Sequence, residues 1–332
     1  MKELPPAEIV VLKGGWLTTV QDLGRYGYQH DGVSVSGAMD SFSTIVANRL
    51  VGNSDQAAVL ECTLKGPELL FEQETVIAIT GADLSPTVNG ASVPTWQSFV
   101  ISRGSRLSFG PPQSGCRAYL AIAGGIDVPL VLGSRSTHYA SETGGLQGRP
   151  LQQGDALRGG NPGPFINRQI GAELPDALRP RYGHAATLHI TPGPQVDCFG
   201  EQSIRMMMSS DYTVSPQSDR MGYRLAGTKI ARKGLDQFIS DGTAMGALQV
   251  PPDGQPILLM ADRQTTGGYP KIAVVISGDL PFAAQLVPGD RIRFAQCSVA
   301  EARATMRRQR ADLDAALPPH VQQLRSDGTR SQ

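Results

Sequence analysis

No stretch of the 332-residue chain reaches the ~18 consecutive apolar residues that a membrane-crossing helix requires. The opening residues, MKELPPAEIVVLKGG, carry an early acid and two prolines and lack the apolar centre of a secretory leader. Charge of one sign is also missing: Lys plus Arg and Asp plus Glu each number 30. This neutrality removes the long-range attraction on which nucleic-acid and anionic-membrane binders depend. The four cysteines, Cys62, Cys116, Cys198 and Cys297, form no CxxC pair, and no histidine stands beside them at zinc-ligand spacing. A structural metal is therefore not expected, and scattered single thiols fit a cytoplasmic protein. Histidines number only five. His30 alone lies in a polar stretch and His189 alternates within an apparent strand, so a histidine-based triad is not expected. The chain has no GxxxxGK[ST] phosphate loop, no GxGxxG after a strand and no GxSxG elbow.

What is abundant is punctuation. Glycine (38) and proline (24) make up about a fifth of the residues, against a usual ~12%. Short apolar runs lie between these breakers, among them Val59–Cys62, Glu68–Phe71, Val76–Ile79 and Ser98–Ile101, and Asn89-Gly90 marks a hairpin. The pattern predicts a mainly β fold with a few short helices. Ile9 to Leu12 reads as an edge strand. One helix is expected over Asp40 to Leu50, where Phe42, Ile45, Val46 and Leu50 share a face; Ser36 or Asp40 caps its start. Val196 to Met208 reads as a short helix plus a strand, with Met206–Met208 filling core. A final helix begins at the Ser298/Glu301 capping box and runs to Pro318. A chain longer than the ~250–300 residues at which single cores stop growing reads as two lobes. The expected division is residues 1–160, a Pro-rich linker at 161–184, a second β lobe at 185–318 and a polar tail at 319–332.

Three polar constellations interrupt this pattern. Gln249 to Pro270, QVPPDGQPILLMADRQTTGGYP, passes from a turn through a buried-strand run to Asp262, Arg263, Gln264, Thr265, Thr266, Gly267 and Gly268. A loop of that chemistry after a strand is how a scaffold presents a binding site. Arg263 offers a planar fork suited to a carboxylate or phosphate, and Asp262 can hold it or act as a base. The second constellation is the loop carrying Gln21, Asp22 and Arg25 on to Asp40, and the third is Ser218 to Leu225, with Asp219 and Arg220. Asp219 either bridges Arg220 or leaves it free to reach the cleft beside Arg263. A simple polar turn with one Asp–Arg bridge explains the first constellation equally well. These groups suit a small ligand bearing a carboxylate or amide, but do not by themselves name a reaction.

The segments VQDLGRYGYQHDGVSVSGAMD (20–40), ITGADLSPTVNG (79–90), SDRMGYRL (218–225) and LQVPPDGQPILLMADRQTTGGYPKIA (248–273) together resemble one family. It is the allophanate-hydrolase-subunit-2 or biotin-dependent carboxyltransferase family, whose free-standing bacterial members include the C-type subunit of the ATP-dependent 5-oxoprolinase. The resemblance implies a two-lobed, cyclophilin-like β-barrel architecture with a site between the lobes. It implies a subunit that uses ATP with B-like and A-like partners to convert 5-oxo-L-proline to L-glutamate, and that is inactive alone. The resemblance does not assign separate roles; by their own chemistry Asp262 and Arg263 are the candidate catalytic residues, Asp262 for proton transfer and Arg263 or Arg220 for the substrate carboxylate. Gln21, Asp22, Arg25, Asp40, Asp219, Arg220, Gln264, Thr266, Gly267 and Gly268 would bind substrate, and no metal is implied. No Ala-Met-Lys-Met segment occurs, so any biotin would be carried by another chain, and the ATP site would be shared with a partner. Two other roles are compatible with the family: carboxyl transfer to a urea-like amide, and non-catalytic antagonism of a histidine-kinase inhibitor.

Overall fold

The structure, a computed structural model, describes residues 6–162, 169–234 and 239–319. Most of the expected tail at 319–332 and part of the expected linker lie outside the described residues. The architecture is mainly β, and its two halves solve the edge-strand problem differently.

The first half is a pair of facing sheets. One has six strands in the spatial order Ala156–Arg158, Glu8–Lys13, Glu68–Phe71, Arg106–Phe109, Pro86–Val88, Ala91–Ser92. The other has five, in the order Leu17–Gln21, Val59–Thr63, Ser114–Ile122, Thr75–Asp83, Ser98–Ile101. The first strand is not at an edge, contrary to the sequence reading. It pairs with Ala156–Arg158 on one side and Glu68–Phe71 on the other, because the returning chain at 154–159 covers what a local reading leaves open.

Alternation in the five-stranded sheet gives it two buried faces. Leu60, Ile77, Ile79, Leu120 and Ile122 meet Ile9, Val11, Leu69 and Phe71 of the opposing sheet. Val59, Val76, Ala78 and Tyr119 face the other way, onto the helix Ser41–Leu50 (α1). That helix is capped by Asp40, whose side chain accepts from Ser43 N.

The second half is a closed seven-stranded barrel: Ala185–Pro192, Lys271–Val275, Ala247–Gln249, Ile257–Leu259, Gly222–Ala226, Asp211–Val214, Arg291–Gln296. Every pairing around it is antiparallel except the last, in which Ala185–Pro192 runs parallel to Arg291–Gln296. The predicted helix-plus-strand at 196–208 is instead a helix, Glu201–Ser209 (α2), before the strand Asp211–Val214. Of its methionines only Met207 is fully buried, and Met206 is 41% exposed.

A four-residue helix, Leu280–Ala283 (α3), and an 18-residue helix, Val299–Ala316 (α4), finish the described chain. The latter is far from short. It starts at the expected capping box and then leaves the barrel. Leu313 and Leu317 join the α1 core of the first half, and Arg49 binds Asp314 at 2.7 Å.

The halves are bolted together by Gln285, which follows α3. Its Oε1 accepts from Cys116 N (3.0 Å) and Arg117 N (2.9 Å), while its Nε2 donates to Asp40 Oδ2 and Arg117 O, both at 3.0 Å. Replacing Gln285 by alanine takes the side-chain acceptor from the Cys116 and Arg117 amides and one of three side-chain donors from Asp40 Oδ2. Urea unfolding should show a loss of roughly 2–4 kcal/mol. A loss below about 0.5 kcal/mol, the range of inert surface changes, would mean the bolt is not a main tie between the halves.

Candidate functional site

The seam between the sandwich and the barrel collects most of the singled-out residues. Asp22 ends the strand Leu17–Gln21 and organises the loop opposite. Its Oδ1 accepts from Gly24 N, Ser134 Oγ and Ser136 Oγ, and its Oδ2 from Arg135 N. Arg25 holds the same loop through Val131 O and Ser136 O, each at 2.9 Å. Gln21 Nε2 donates to Thr137 O at 3.0 Å. These three side chains are buried, and they shape the 131–137 loop.

The chain then turns at Gly37, whose positive φ of 92° and close approach to Gly24 leave no room for a Cβ. This turn brings Ser36 and the Gly37 carbonyl to the barrel. Ser36 Oγ lies 2.7 Å from Asp262 Oδ1 and 2.9 Å from Thr137 O. Arg220, from the turn before Gly222–Ala226, grips Asp262 through Nε (2.8 Å) and Nη2 (3.1 Å). It also donates to Gly37 O at 2.6 Å and, through Nη1, to Glu61 Oε1. Glu61 Oε2 accepts from Met39 N (2.8 Å) and the Tyr119 hydroxyl (2.9 Å). Burial opposes charge on Arg220, but the Asp262 and Glu61 carboxylates outweigh it and hold the guanidinium above its ordinary range.

Asp262 and Arg220 are therefore together, whereas Asp219 is apart. Asp219 sits in an exposed turn, its Oδ1 accepting from Met221 N and Gly222 N, and it does not bridge Arg220. Asp40 is also removed from the seam's open side. It is fully buried beneath α1, taking donors from Ser43, Gln285 and Tyr182, and burial pushes its carboxyl up against their pull. Gln264 donates to Gln249 at 3.1 Å. Thr266-Gly267 pairs with Asp241-Gly242, and Gly267 passes so near Gln249 that a Cβ would lie 2.3 Å from its Nε2. Gly268 follows in the exposed end of that turn.

Two residues that the sequence did not single out are central. Glu61 lies inside an apolar strand run, VLECT, where alternation predicts nothing but a buried side chain. Gln29 crosses the seam to the Thr243 (2.8 Å) and Thr265 (2.9 Å) carbonyls. An isolated acid in the middle of an otherwise apolar strand is a usable signal, because a buried charge demands a partner. The partner itself comes from 159 residues away.

Arg263 differs from its neighbours. It is only 8% exposed, yet its guanidinium makes no hydrogen bond among the described residues, and Nε is buried without a partner. The nearby Arg220 has two carboxylates, Arg117 approaches Glu61 at 4.0 Å, and Arg25 has two carbonyls and the field of Asp22. Burial pulls the Arg263 guanidinium below its ordinary range, against Tyr26 and Asp262. Gln21 Oε1 and Arg25 Nη1 are likewise buried without partners. The arrangement can take a small anion on Arg263, whereas Gln21 is sealed within the chain. No group of three or more His, Cys, Asp or Glu side chains among the described residues is placed to hold a metal ion.

The family description "Carboxyltransferase domain, subdomain A and B" matches residues 31–296. The chain is 40% identical over 292 residues to the C-type subunit of 5-oxoprolinase from Escherichia coli K12, covering 88% of this chain and 92% of that protein. It is 36% identical to urea amidolyase of Saccharomyces cerevisiae, covering 90% of this chain but 17% of that one. Urea carboxylase of Kluyveromyces lactis superposes with a TM-score of 0.86 at 35% identity, over 98% of this chain and 30% of the larger one. The chain thus belongs to the carboxyltransferase domain family of subdomains A and B.

A contrast in stability tests the geometry. Arg220→Met takes from buried Asp262 its guanidinium partner and leaves Glu61 only the more distant Arg117, and should cost about 3–5 kcal/mol in urea unfolding of this chain. Arg263→Met removes a largely buried cation that has no acceptor among the described residues and should be neutral or stabilising. Equal destabilisation by both would show that Arg263 is satisfied within the chain.

Proposed function

We propose that this chain is the C-type subunit of an ATP-dependent 5-oxoprolinase and that the seam between sandwich and barrel is its substrate site. The observation that carries this reading is the Arg263 guanidinium, whose Nε is buried without a partner and whose two terminal nitrogens reach the surface without an acceptor among the described residues. Burying a charge without a partner is costly, and a bound anion removes the cost. The carboxylate of 5-oxo-L-proline is such an anion. Similarity to the Escherichia coli 5-oxoprolinase component over 92% of its length, against 17% of the yeast urea amidolyase, also supports it.

Within this reading Arg263 holds the carboxylate. Asp262 is a positioning residue: donors already engage both its oxygens, so proton transfer by Asp262 would require Arg220 to move. Ser36 and Arg220 fix the loop from which Arg263 projects. ATP supplies the energy for opening the lactam to L-glutamate. The residues present here do not fit a triphosphate. There is no phosphate loop, and the seam's cations are arginines of which, among the described residues, only Arg263 lacks an acceptor. We therefore place the nucleotide on the A-like or B-like partner and derive no step through it.

A second reading, carboxyl transfer to a urea-like amide from carboxybiotin borne on another chain, is favoured by the superposition on urea carboxylase over nearly the whole chain. The same arginine would then hold the carboxyl group in transit.

The deciding assay is release of glutamate and phosphate from 5-oxoproline plus ATP by this chain assembled with its B-like and A-like subunits, each omitted in turn. Arg263→Met should raise KM for 5-oxoproline by about 10- to 100-fold, the worth of one charged hydrogen bond. Unchanged KM and turnover would remove Arg263 from the site. No release by the full assembly, with turnover of urea and bicarbonate by a biotin-bearing one, would select the second reading.

A further inference from the structure

Away from the seam, a cavity of about 300 Å³ lies between α1, α3, α4 and residues 177–181. Its size is at the small end of the ~300–1,000 Å³ range of ligand pockets. Phe42, Leu178, Pro281, Phe282 and Leu313 give it an apolar wall. Two residues of opposite charge, Arg181 and Asp312, stand on the same cavity. They form no ion pair with each other, and neither has a side-chain partner among the described residues. The neighbouring Arg179, by contrast, is engaged by Asp176 (2.8 Å) and by Leu174 O (2.7 Å). An apolar wall flanked by one unengaged cation and one unengaged anion is complementary to a molecule that is apolar at one end and zwitterionic at the other.

We propose that this cavity is a binding site for a small apolar α-amino acid of leucine's class. Its carboxylate lies on Arg181, its ammonium group faces Asp312, and its side chain packs against Phe42, Phe282 and Leu313. The site is separate from the seam but linked to it by a series of contacts. Phe42 stands two residues beyond Asp40 on α1. Phe282 meets Tyr182 edge-on, with ring centroids 6.4 Å apart, and the Tyr182 hydroxyl donates to Asp40 at 3.2 Å. The Asp40 amide in turn donates to Tyr119, which is bonded to Glu61, the partner of Arg220. The wall of the cavity is thus contiguous with the hydrogen-bonded chain that reaches Arg220 and Asp262.

The protein carries its own reporter. Trp96 lies 6.4 Å from Phe42 and is buried, and the only other tryptophan, Trp16, is 72% exposed. In a Trp16→Phe background, L-leucine should change Trp96 emission saturably, with a Kd of about 1 mM, and calorimetry should return the same constant. Arg181→Ala and Asp312→Asn, both surface changes, should each weaken binding about tenfold, as should replacing the probe by 4-methylpentanoate or by 3-methylbutylamine. The proposal is overturned if calorimetry detects no binding of L-leucine up to about 20 mM, far above the expected constant. It is also overturned if Arg181→Ala binds as the parent does, or if 4-methylpentanoate binds as tightly as L-leucine. None of these readouts depends on catalytic turnover.

Discussion

The structure turns on one guanidinium that crosses between two halves. Arg220 belongs to the barrel by sequence, but its partner Glu61 belongs to the sandwich, and Asp262 completes the set from the barrel side. Removing such ions from water costs several kcal/mol each and is tolerable only where the remaining donors and acceptors are satisfied. Here they are, by Gly37 O, Met39 N, the Tyr119 hydroxyl and Ser36. Hydrophobic contact between the halves would tolerate a range of relative positions. This network admits one, because a shift of an ångström or two would leave a buried charge uncompensated. The relative placement of the 22–40 loop and the 262–268 loop, and so the shape of the space between them, follows from that single docking register.

Inside such a network the exception is informative. Of the arginines gathered at the seam, three are answered by the protein and one is not. The answered ones, Arg25, Arg117 and Arg220, build the walls. Arg263 follows Asp262 directly, so the carboxylate that anchors Arg220 also fixes the backbone from which the unanswered cation projects. Structural and ligand-directed charges are thus adjacent in sequence, and the distinction between them is visible only in their partners.

That distinction explains what the sequence revealed. Glycine and proline spacing, short β runs, the α1 face and the Ser298/Glu301 capping box are local properties, and each appears in the structure where local chemistry places it. The loop at 262–268 and the Gln21–Arg25 segment stood out for the same reason, as polar stretches abutting apolar ones. The roles of Asp40 and Asp219 could not be separated locally. Both are aspartates at turns, but one is sealed beneath a helix and the other faces water. Glu61 and Gln29 were hidden because their partners lie 159 and more than 200 residues away. The interior position of the first strand was likewise masked by strand pairing with residue 158.

The parallel pairing that shuts the barrel sets an order on how the molecule comes into being. Ala185 finds its neighbour only at Arg291, and the sandwich core is completed by Leu313 and Leu317 of the last helix. Contacts separated by about a hundred residues or more carry a large entropic cost before they return any stabilisation, and they slow folding. During synthesis neither half can reach its final packing until residues 291–296 and 313–317 have left the ribosome. Until then the open barrel edge and the bare face of α1 stay exposed, so this chain's passage to the folded state is where molecular chaperones have most to act on.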